Sequence, residues 1–266
     1  MIHIYDSNIA DETFKLWLKE HSNYRTLDEW SPSLIQPIID RHPSKDNKIS
    51  GFLERIITGN PGYGKSTFAY KFMAKLYYEI MEYSCIDDEA DAYRWSLDNM
   101  IYRPMELFER VMHQRDVGEP AWCWCLDDAS IHMGRQLFDQ DRPTYRKLQG
   151  IIPTLREDVT CLLITTPTVQ LLAKPFREFF NYKVEMTLPS GITKYTRLGK
   201  HYEKRFYPDD VRYRIHHPYD DKFSCLIPEP FYQWYLDKKR LALKEYARDI
   251  IHKDFKKEED EKEDGY

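Results

Sequence analysis

The sequence has few cysteines and no long apolar run. Five of its 266 residues are Cys, an odd number, and no two of them form a C-x-x-C pair. Cys123, Cys125 and Cys161 lie inside apolar runs, which indicates reduced core residues of a cytoplasmic protein. No stretch of eighteen apolar residues and no charged-then-apolar leader occurs, so we expect neither a membrane span nor secretion. His216 and His217 lack zinc-ligand spacing, and Mg²⁺ is the only metal expected.

The formal net charge of −5 lies entirely in the last nine residues. This tail, residues 258–266 (EEDEKEDGY), holds six acids and one Lys, so residues 1–257 are neutral overall. Because the tail lacks apolar side chains that could be buried, we expect it to be disordered. A solubility tail is the simplest interpretation of it, with nucleic-acid mimicry and control of oligomerisation as alternatives.

The most informative segment is GNPGYGKST, which fits the phosphate-binding pattern G-x-x-x-x-G-K-[ST]. It follows an apolar, strand-like run over residues 52–57 and precedes a helix-like run over residues 66–83. Glycines let such a loop turn its N–H groups toward phosphate oxygens, and the next helix directs its N-terminus at the anion. The alternative is a glycine-rich turn with no ligand. The expected nucleotide-binding residues are Gly59, Asn60, Pro61, Gly62, Tyr63, Gly64, Lys65, Ser66 and Thr67.

Three side chains of this loop have distinct expected roles. Lys65 is expected to reach the β- and γ-phosphates of ATP, and Ser66 to offer its hydroxyl to Mg²⁺. Thr67 is expected to lie against the α-phosphate. ATP is preferred over GTP as the nucleotide because no guanine-reading N-K-x-D motif is evident.

A second apolar run, AWCWCLDD at residues 121–128, ends in two acids. A carboxylate at the end of such a strand can hold the hydration shell of Mg²⁺, which makes Asp127 the predicted metal-side residue. Asp128 is the candidate that orients or deprotonates the attacking water. Alternatively, both acids merely begin a loop or cap a helix.

A third apolar run, VTCLLITTPT at residues 159–168, has the composition of a central strand and ends in hydroxyls. Right-handed crossover geometry predicts that it lies beside the loop strand and brings Thr165 or Thr166 toward the γ-phosphate. We assign Thr166 as the candidate catalytic sensor of the nucleotide state. The alternative is that both threonines only satisfy backbone groups at the strand end.

Alternating strand-like and helix-like runs predict an α/β fold with a mostly parallel central sheet flanked by helices, the P-loop NTPase class. We divide the chain into an irregular, partly helical lead-in (1–48), an ATPase core (49–188), a β-hairpin and helical extension (189–257) and the tail (258–266). Residues 9–20 and the segment MELFERVMHQRD after Pro104 are expected to be helical. Within residues 66–83, Phe68, Phe72 and Leu76 define one apolar face.

The order of loop, acidic strand end and polar strand end resembles that of the ASCE P-loop ATPases, which include AAA+, FtsK/HerA-like and RecA-like proteins. The resemblance covers roughly residues 50–188. It implies ATP hydrolysis assisted by an acid next to Asp127, where Glu is usual and this chain has Asp128. The run LLITTPTVQLLAKPFREFF looks like the strand and Arg-bearing helix of DNA-translocating ATPases. Overall, the chain is similar to the small DnaA-like ATPases of archaeal spindle-shaped viruses and plasmids.

Residues 192–227 depart from the AAA+ pattern, in which a helical lid follows the core. Short runs of alternating Tyr, Arg and Lys predict β-hairpins there, so a DnaA-type lid is not expected. Residues 171–216 hold ten Lys or Arg against five acids and are the candidate DNA-binding surface. The alternative is an amphipathic hairpin with its basic residues outward. The interleaved aromatic residues are Tyr195, Tyr202, Phe206, Tyr207 and Tyr213.

ATPases of this group commonly complete their active site with an arginine from a neighbouring subunit, which implies a homo-oligomer. The candidates here are Arg135, Arg142, Arg146, Arg156 and Arg177. Two functions remain after these observations. One is a Mg²⁺-dependent motor or switch ATPase acting on DNA in viral or plasmid replication, segregation or packaging. The other is a small-molecule kinase or regulatory NTPase that does not act on nucleic acid.

Overall fold

The computed structural model describes residues 7–21, 24, 26–27, 29–44, 51–83, 86–131, 133–134, 141–189, 195–206 and 213–263. Its helices are α1 (Ser7–Glu20), α2 (Ile35–Ile39), α3 (Lys65–Glu79), α4 (Glu89–Asp98), α5 (Pro104–Val117), α6 (Arg142–Ile151), α7 (Lys174–Phe179) and α8 (Phe231–Glu263). Its strands are β1 (Leu53–Thr58), β2 (Met100–Ile101), β3 (Ala121–Leu126), β4 (Val159–Thr165), β5 (Tyr182–Thr187), β6 (Thr196–Phe206), β7 (Tyr213–His216) and β8 (Asp220–Ser224).

The strands form one sheet in the order β2-β3-β4-β1-β5-β6-β7, with β8 also paired to β6. From β2 to β5 every neighbouring pair is parallel. Strand β4 lies between β1 and β3, with Ile57 opposite Thr165, so the predicted position of the third apolar run beside the loop strand is confirmed. The predicted α/β class with a mostly parallel central sheet is confirmed as well.

Side chains that alternate along the central strands enter two separate cores, because successive residues of a strand point to opposite faces of the sheet. On β3, Cys123 and Cys125 pack on the face that carries α1 to α4, whereas Trp124 packs on the face that carries α5, α6 and α7. The apolar face predicted on α3 is buried in the first of these cores, as shown by Phe68 and Phe72. Helices therefore cover both faces of the parallel strands.

The hairpin-like region predicted at residues 192–227 folds as antiparallel strands. Strand β6 pairs with β5 along one edge and with β7 and β8 along the other. The pairing of Tyr182 with Glu203 and of Thr187 with Leu198 joins segments on either side of the boundary drawn at residue 189. The described part of residues 192–227 therefore continues the core sheet. It forms strands and not a helical AAA+ lid.

Helix α8 begins at Phe231 and continues to Glu263. The expectation of disorder at residues 258–266 is therefore wrong for its first six residues, while residues 264–266 lie outside the described ranges. The reason is that Glu and Lys are good helix formers, and a helix that has already begun gains a hydrogen bond with each residue added. Neither α8 nor any other described helix combines the length and apolarity needed to cross a membrane.

Candidate nucleotide and magnesium site

The phosphate-binding pattern forms the turn between β1 and α3, at the carboxyl end of the central strand. Gly59, Gly62 and Gly64 have φ angles of 145°, 80° and 81°, a region that side chains with a Cβ rarely adopt. The turn is tied to β4 by the N–H of Gly59, which donates to the carbonyl of Pro167 at 3.2 Å. Helix α3 starts directly after Gly64, so its unpaired N–H groups face the loop.

Lys65 is folded over this loop. Its Nζ donates to the carbonyl oxygens of Gly59 at 2.9 Å and Asn60 at 3.3 Å. Burial lowers the pKa of Lys65, an effect that the charges of Asp128 and Asp127 oppose. The ammonium group thus lies beside the loop interior, where it can meet phosphate oxygens without leaving the site.

Asp127 directly follows β3 and is only 2% exposed. Its Oδ1 accepts a hydrogen bond from Thr165 Oγ1 at 2.6 Å, and the same hydroxyl accepts from the N–H of Asp128 at 2.8 Å. Parallel strands place their carboxyl ends at one edge of a sheet, which is why the ends of β1, β3 and β4 meet here. The structure thus brings Asp127 and Asp128 to the edge that carries Lys65.

Asp128 has a φ of 50°, in the left-handed region that is uncommon for residues other than glycine. Asp and Asn tolerate this conformation better than most residues, although it still costs about 1 kcal/mol. The turn continues with a hydrogen bond from the N–H of Ile131 to the carbonyl of Asp128 at 2.9 Å. Such backbone conformations cluster at functional sites, and this one lies next to the carboxylate that is predicted to face the metal.

The two threonines at the end of β4 serve different purposes, because consecutive residues of a strand point in opposite directions. The hydroxyl of Thr165 contacts Asp127, whereas that of Thr166 donates to the carbonyl of Thr168 at 3.0 Å. Thr166, the residue chosen as sensor, thus satisfies a backbone group at the strand end. Thr165 is the member of the pair that contacts the acids.

The opposite wall of the site comes from α8. Lys239 Nζ lies 2.9 Å from Asp127 Oδ2 and 2.5 Å from Asp128 Oδ2. The hydroxyl of Tyr235 donates to Asp127 Oδ2 at 3.3 Å, and the nearby Ser66 side chain acts to lower the pKa of this phenol. Two residues of one helical turn therefore contact the strand-end acids, with Ser66 of the loop helix close by.

Electrostatics keep both α8 groups protonated. Burial raises the pKa of Tyr235, and the charge of Asp127 raises it further, so the phenol remains a hydrogen-bond donor. Burial lowers the pKa of Lys239, but the combined interactions with Asp127, Tyr235 and Asp128 outweigh that effect and the net shift is upward. The two lysines and the two aspartates of the site consequently balance in charge.

Tyr235 and Lys239 were not among the predicted site residues, since the sequence indicated only a helical extension in this region. Phe231 and Tyr235 of this helix are buried, whereas Leu241 is 53% exposed. The dipeptide Lys238-Lys239 has the appearance of an ordinary solvent-exposed charge pair. Because the contacts of Lys239 reach residues more than a hundred positions earlier, no local pattern could have indicated them.

The residues present fit a magnesium–nucleotide complex. The Tyr235 hydroxyl donates to Asp127 and lies near Ser66, so the two predicted Mg²⁺-side groups face the same part of α8. A hydroxyl and a carboxylate brought together in this way suit a small, hard cation that retains several waters. The loop main chain and Lys65 supply the donors that phosphate oxygens need.

One residue of the basic region lies beside the phosphate loop, since a Cβ at Gly64 would be 3.6 Å from Arg197 Cγ. The candidate trans-acting arginines differ in their exposure. Arg142, Arg146 and Arg156 are exposed and Arg177 is half-buried, whereas Arg135 lies outside the described residues.

On the basic surface, Lys183 lies 4.7 Å from the ring centroid of Tyr202, and His217 stacks on that ring. Arg55 covers Tyr182 in the same way, at 3.9 Å. The rings of Tyr202 and Tyr182 are thus in contact with other side chains of this chain. These contacts occupy ring faces that could otherwise stack on nucleic-acid bases. Tyr207 lies outside the described residues.

Comparison with known proteins finds no matching family model and no matching curated protein. Several solved structures are similar over most of their length. They include the N-terminal domain of zonular occludens toxin from Neisseria meningitidis, at 11% identity over 69% of this chain and 98% of that chain, with a TM-score of 0.36. KaiC-like protein PH0186 from Pyrococcus horikoshii OT3 has 15% identity over 63% and 92% of the two chains, with a TM-score of 0.34.

A third such structure is an ATPase domain, at 8% identity over 80% of this chain and 95% of that chain, with a TM-score of 0.36. All three identities are below 25% and all three TM-scores are below 0.5.

Proposed function

We propose that this protein binds ATP with Mg²⁺ and hydrolyses it. The observation that carries the proposal is the meeting of the loop 59–67, Ser66, Asp127 and Asp128 at one edge of the sheet. In this arrangement Lys65 and the loop N–H groups hold the phosphates, and Ser66 and Asp127 hold the metal. Bound Mg²⁺ neutralises charge on the phosphate oxygens, and Asp128 orients the attacking water or takes its proton.

Water is the acceptor that the surroundings of the acids favour. Asp128 adjoins the buried Asp127 and has a side chain that is 31% exposed, so water can reach its carboxylate. A carboxylate that meets water can orient it or take its proton. We therefore favour hydrolysis over the alternative of a small-molecule kinase.

We extend the proposal to an oligomeric, DNA-associated ATPase that acts in the cytoplasm during viral or plasmid replication, segregation or packaging. Support comes from the basic composition of residues 171–216 and from exposed arginines such as Arg142 and Arg146, which are accessible to a second copy of the chain. Trans-acting arginines stabilise charge that develops on the γ-phosphate. A regulatory NTPase that ignores nucleic acid is the competing function.

The test is the steady-state rate of ATP hydrolysis with Mg²⁺, measured with and without single- and double-stranded DNA at two salt concentrations. Hydrolysis that DNA stimulates, and that loses this stimulation at the higher salt, is expected because phosphate contacts release counterions. A rate indifferent to both DNA forms would leave the ATPase in place and favour the regulatory NTPase. Absence of hydrolysis under every condition would refute the enzymatic proposal.

A further inference from the structure

We propose that Lys239 and Tyr235 occupy the magnesium position in the nucleotide-free protein, so that Mg²⁺ and ATP must displace them in order to bind. This inference rests on the proposed function and adds a means of control to the same site. In this arrangement α8 responds to whether Mg²⁺ and ATP are bound. The following contacts support it in turn.

The first support is that the acceptor atoms of Asp127 are already in use. Its Oδ1 accepts from Thr165, while its Oδ2 accepts from both Lys239 at 2.9 Å and Tyr235 at 3.3 Å. The residue is 2% exposed, so bulk water has almost no access to these oxygens. A carboxylate in this state cannot also hold the hydration shell of a cation on its Oδ2 side.

The second support is the position of the Tyr235 hydroxyl. It donates to Asp127 Oδ2 at 3.3 Å, and Ser66, the other predicted metal-side residue, is close enough to act on the pKa of the phenol. A hydroxyl bound to the predicted metal-side carboxylate lies where the ion or one of its waters would be held. The Tyr235 phenol and the Lys239 ammonium thus stabilise Asp127 with hydrogen bonds and one positive charge. Mg²⁺ would stabilise the same carboxylate with two positive charges.

The third support is that Lys239 can move while α8 stays docked. The adjacent Lys238 donates to the carbonyls of Leu97 and Met100, both at 2.8 Å, and Phe231 stacks on Tyr93 with a centroid distance of 5.2 Å. These contacts hold the first turns of the helix without using any atom of the site. Lys239, whose side chain is 22% exposed, can therefore turn its flexible stem toward solvent by changing rotamers alone.

The experiment measures the Mg²⁺ concentration that half-saturates binding of a fluorescent N-methylanthraniloyl ATP, a readout that does not depend on turnover. We expect Lys239→Met, which keeps an apolar stem but removes the charge, to lower that concentration about fivefold or more. Tyr235→Phe should shift it in the same direction by a smaller factor. Lys239→Arg keeps the cation and should remain near the wild-type value.

The matched control is Arg240→Met, which removes a cation from the neighbouring position, where the side chain is 70% exposed and pairs with Asp237. It should leave the Mg²⁺ requirement unchanged. An unchanged or higher requirement in both Lys239→Met and Tyr235→Phe would overturn the inference and leave the ATP site intact. Failure of the wild-type protein to bind the nucleotide at any Mg²⁺ concentration would instead refute the proposed function, and this inference with it.

Discussion

The two walls of the candidate site are built from different kinds of contact. The loop wall, residues 59–67, is held by main-chain geometry, with three glycines at positive φ and carbonyls that receive the Lys65 ammonium. The helix wall, Tyr235 and Lys239 of α8, is held by side chains that contact the acids of β3 directly. The loop wall is suited to bind an anion, whereas the helix wall presents groups that an incoming cation must replace.

This difference assigns the walls separate tasks. Loss of a loop-wall group should remove nucleotide binding, because this loop supplies the main-chain donors and the lysine that phosphate oxygens need. Loss of a helix-wall group should leave binding in place and change its dependence on Mg²⁺. Substitutions in either wall test this division of tasks.

Removing the loop-wall lysine should have the largest effect. Lys65→Ala is expected to reduce ATP affinity and turnover by about a thousandfold or more, because the donor to the β- and γ-phosphates is lost. Equilibrium binding of labelled ATP and phosphate release measure the two quantities. Lys147→Ala, at an exposed position on α6, is the control. Near-normal binding by the Lys65 variant would show that the loop is not the phosphate site.

Asp128→Asn should separate turnover from binding. The amide has nearly the same shape but cannot accept a proton from water, so we expect hydrolysis to fall by about a hundred- to a thousandfold. ATP affinity should change little, since Asp127 and Ser66 remain to hold the metal. Single-turnover hydrolysis and nucleotide affinity are measured on the same preparation. A variant that hydrolyses ATP at the wild-type rate would remove Asp128 from the mechanism.

A buried lysine ties α3 to the segment that leads into α8. Lys71 Nζ donates to the carbonyls of Ser224 and Leu226, both at 3.4 Å, and burial lowers the pKa of Lys71 to about 8. Because the unfolded chain keeps this lysine protonated up to about pH 10, the unfolded state binds more protons than the folded one between pH 8 and pH 10. Stability contributed by this group should therefore rise with pH in that window.

The measurement is urea unfolding of the wild type and of Lys71→Met across pH 7 to 11. The free energy of unfolding of the wild type, relative to the variant, is expected to be level below pH 8 and to increase by about 3 kcal/mol toward pH 10.5. Using the difference between the two proteins cancels the titration of groups they share. A level difference throughout would mean that Lys71 is not desolvated as the structure describes.

Two glycines of the loop wall should differ in their tolerance of a side chain. A Cβ at Gly62 meets no heavy atom within 4 Å, so Gly62→Ala should cost only the backbone strain of its φ, about 1 kcal/mol. A Cβ at Gly59 would lie 2.8 Å from the carbonyl oxygen of Met186, which must shift to make room. Gly59→Ala should therefore lose at least about 2 kcal/mol in urea unfolding. Equal losses would argue against this loop geometry.

Much of the loop wall could be predicted from the sequence because its determinants are local. The glycine spacing, the apolar strand before it and the helix after it lie within thirty consecutive residues, and each follows from residue types at short range. The two acids after β3 could be found for the same reason. The position of β4 beside the loop strand was predicted from the rule that crossovers between parallel strands are right-handed.

The helix wall could not be predicted, because its contacts depend on how a distant helix docks. Lys238 and Lys239 are adjacent and chemically identical, yet one binds main-chain carbonyls and the other binds the acids. The rotation of α8 about its axis decides which lysine contacts the carbonyls and which contacts the acids. Which of Thr165 and Thr166 contacts the acids could not be predicted for a similar reason. A change of one residue in strand register exchanges the faces to which the two side chains point.

The most direct test of the two-wall account is a crystal structure with Mg²⁺ and a non-hydrolysable ATP analogue. The account predicts phosphates inside loop 59–67, the metal between Ser66 and Asp127, and the Lys239 ammonium moved away from Asp127 Oδ2. It would be contradicted by a nucleotide bound elsewhere on the chain. It would equally be contradicted by a bound metal with Lys239 still in contact with Asp127 at its present distance of 2.9 Å.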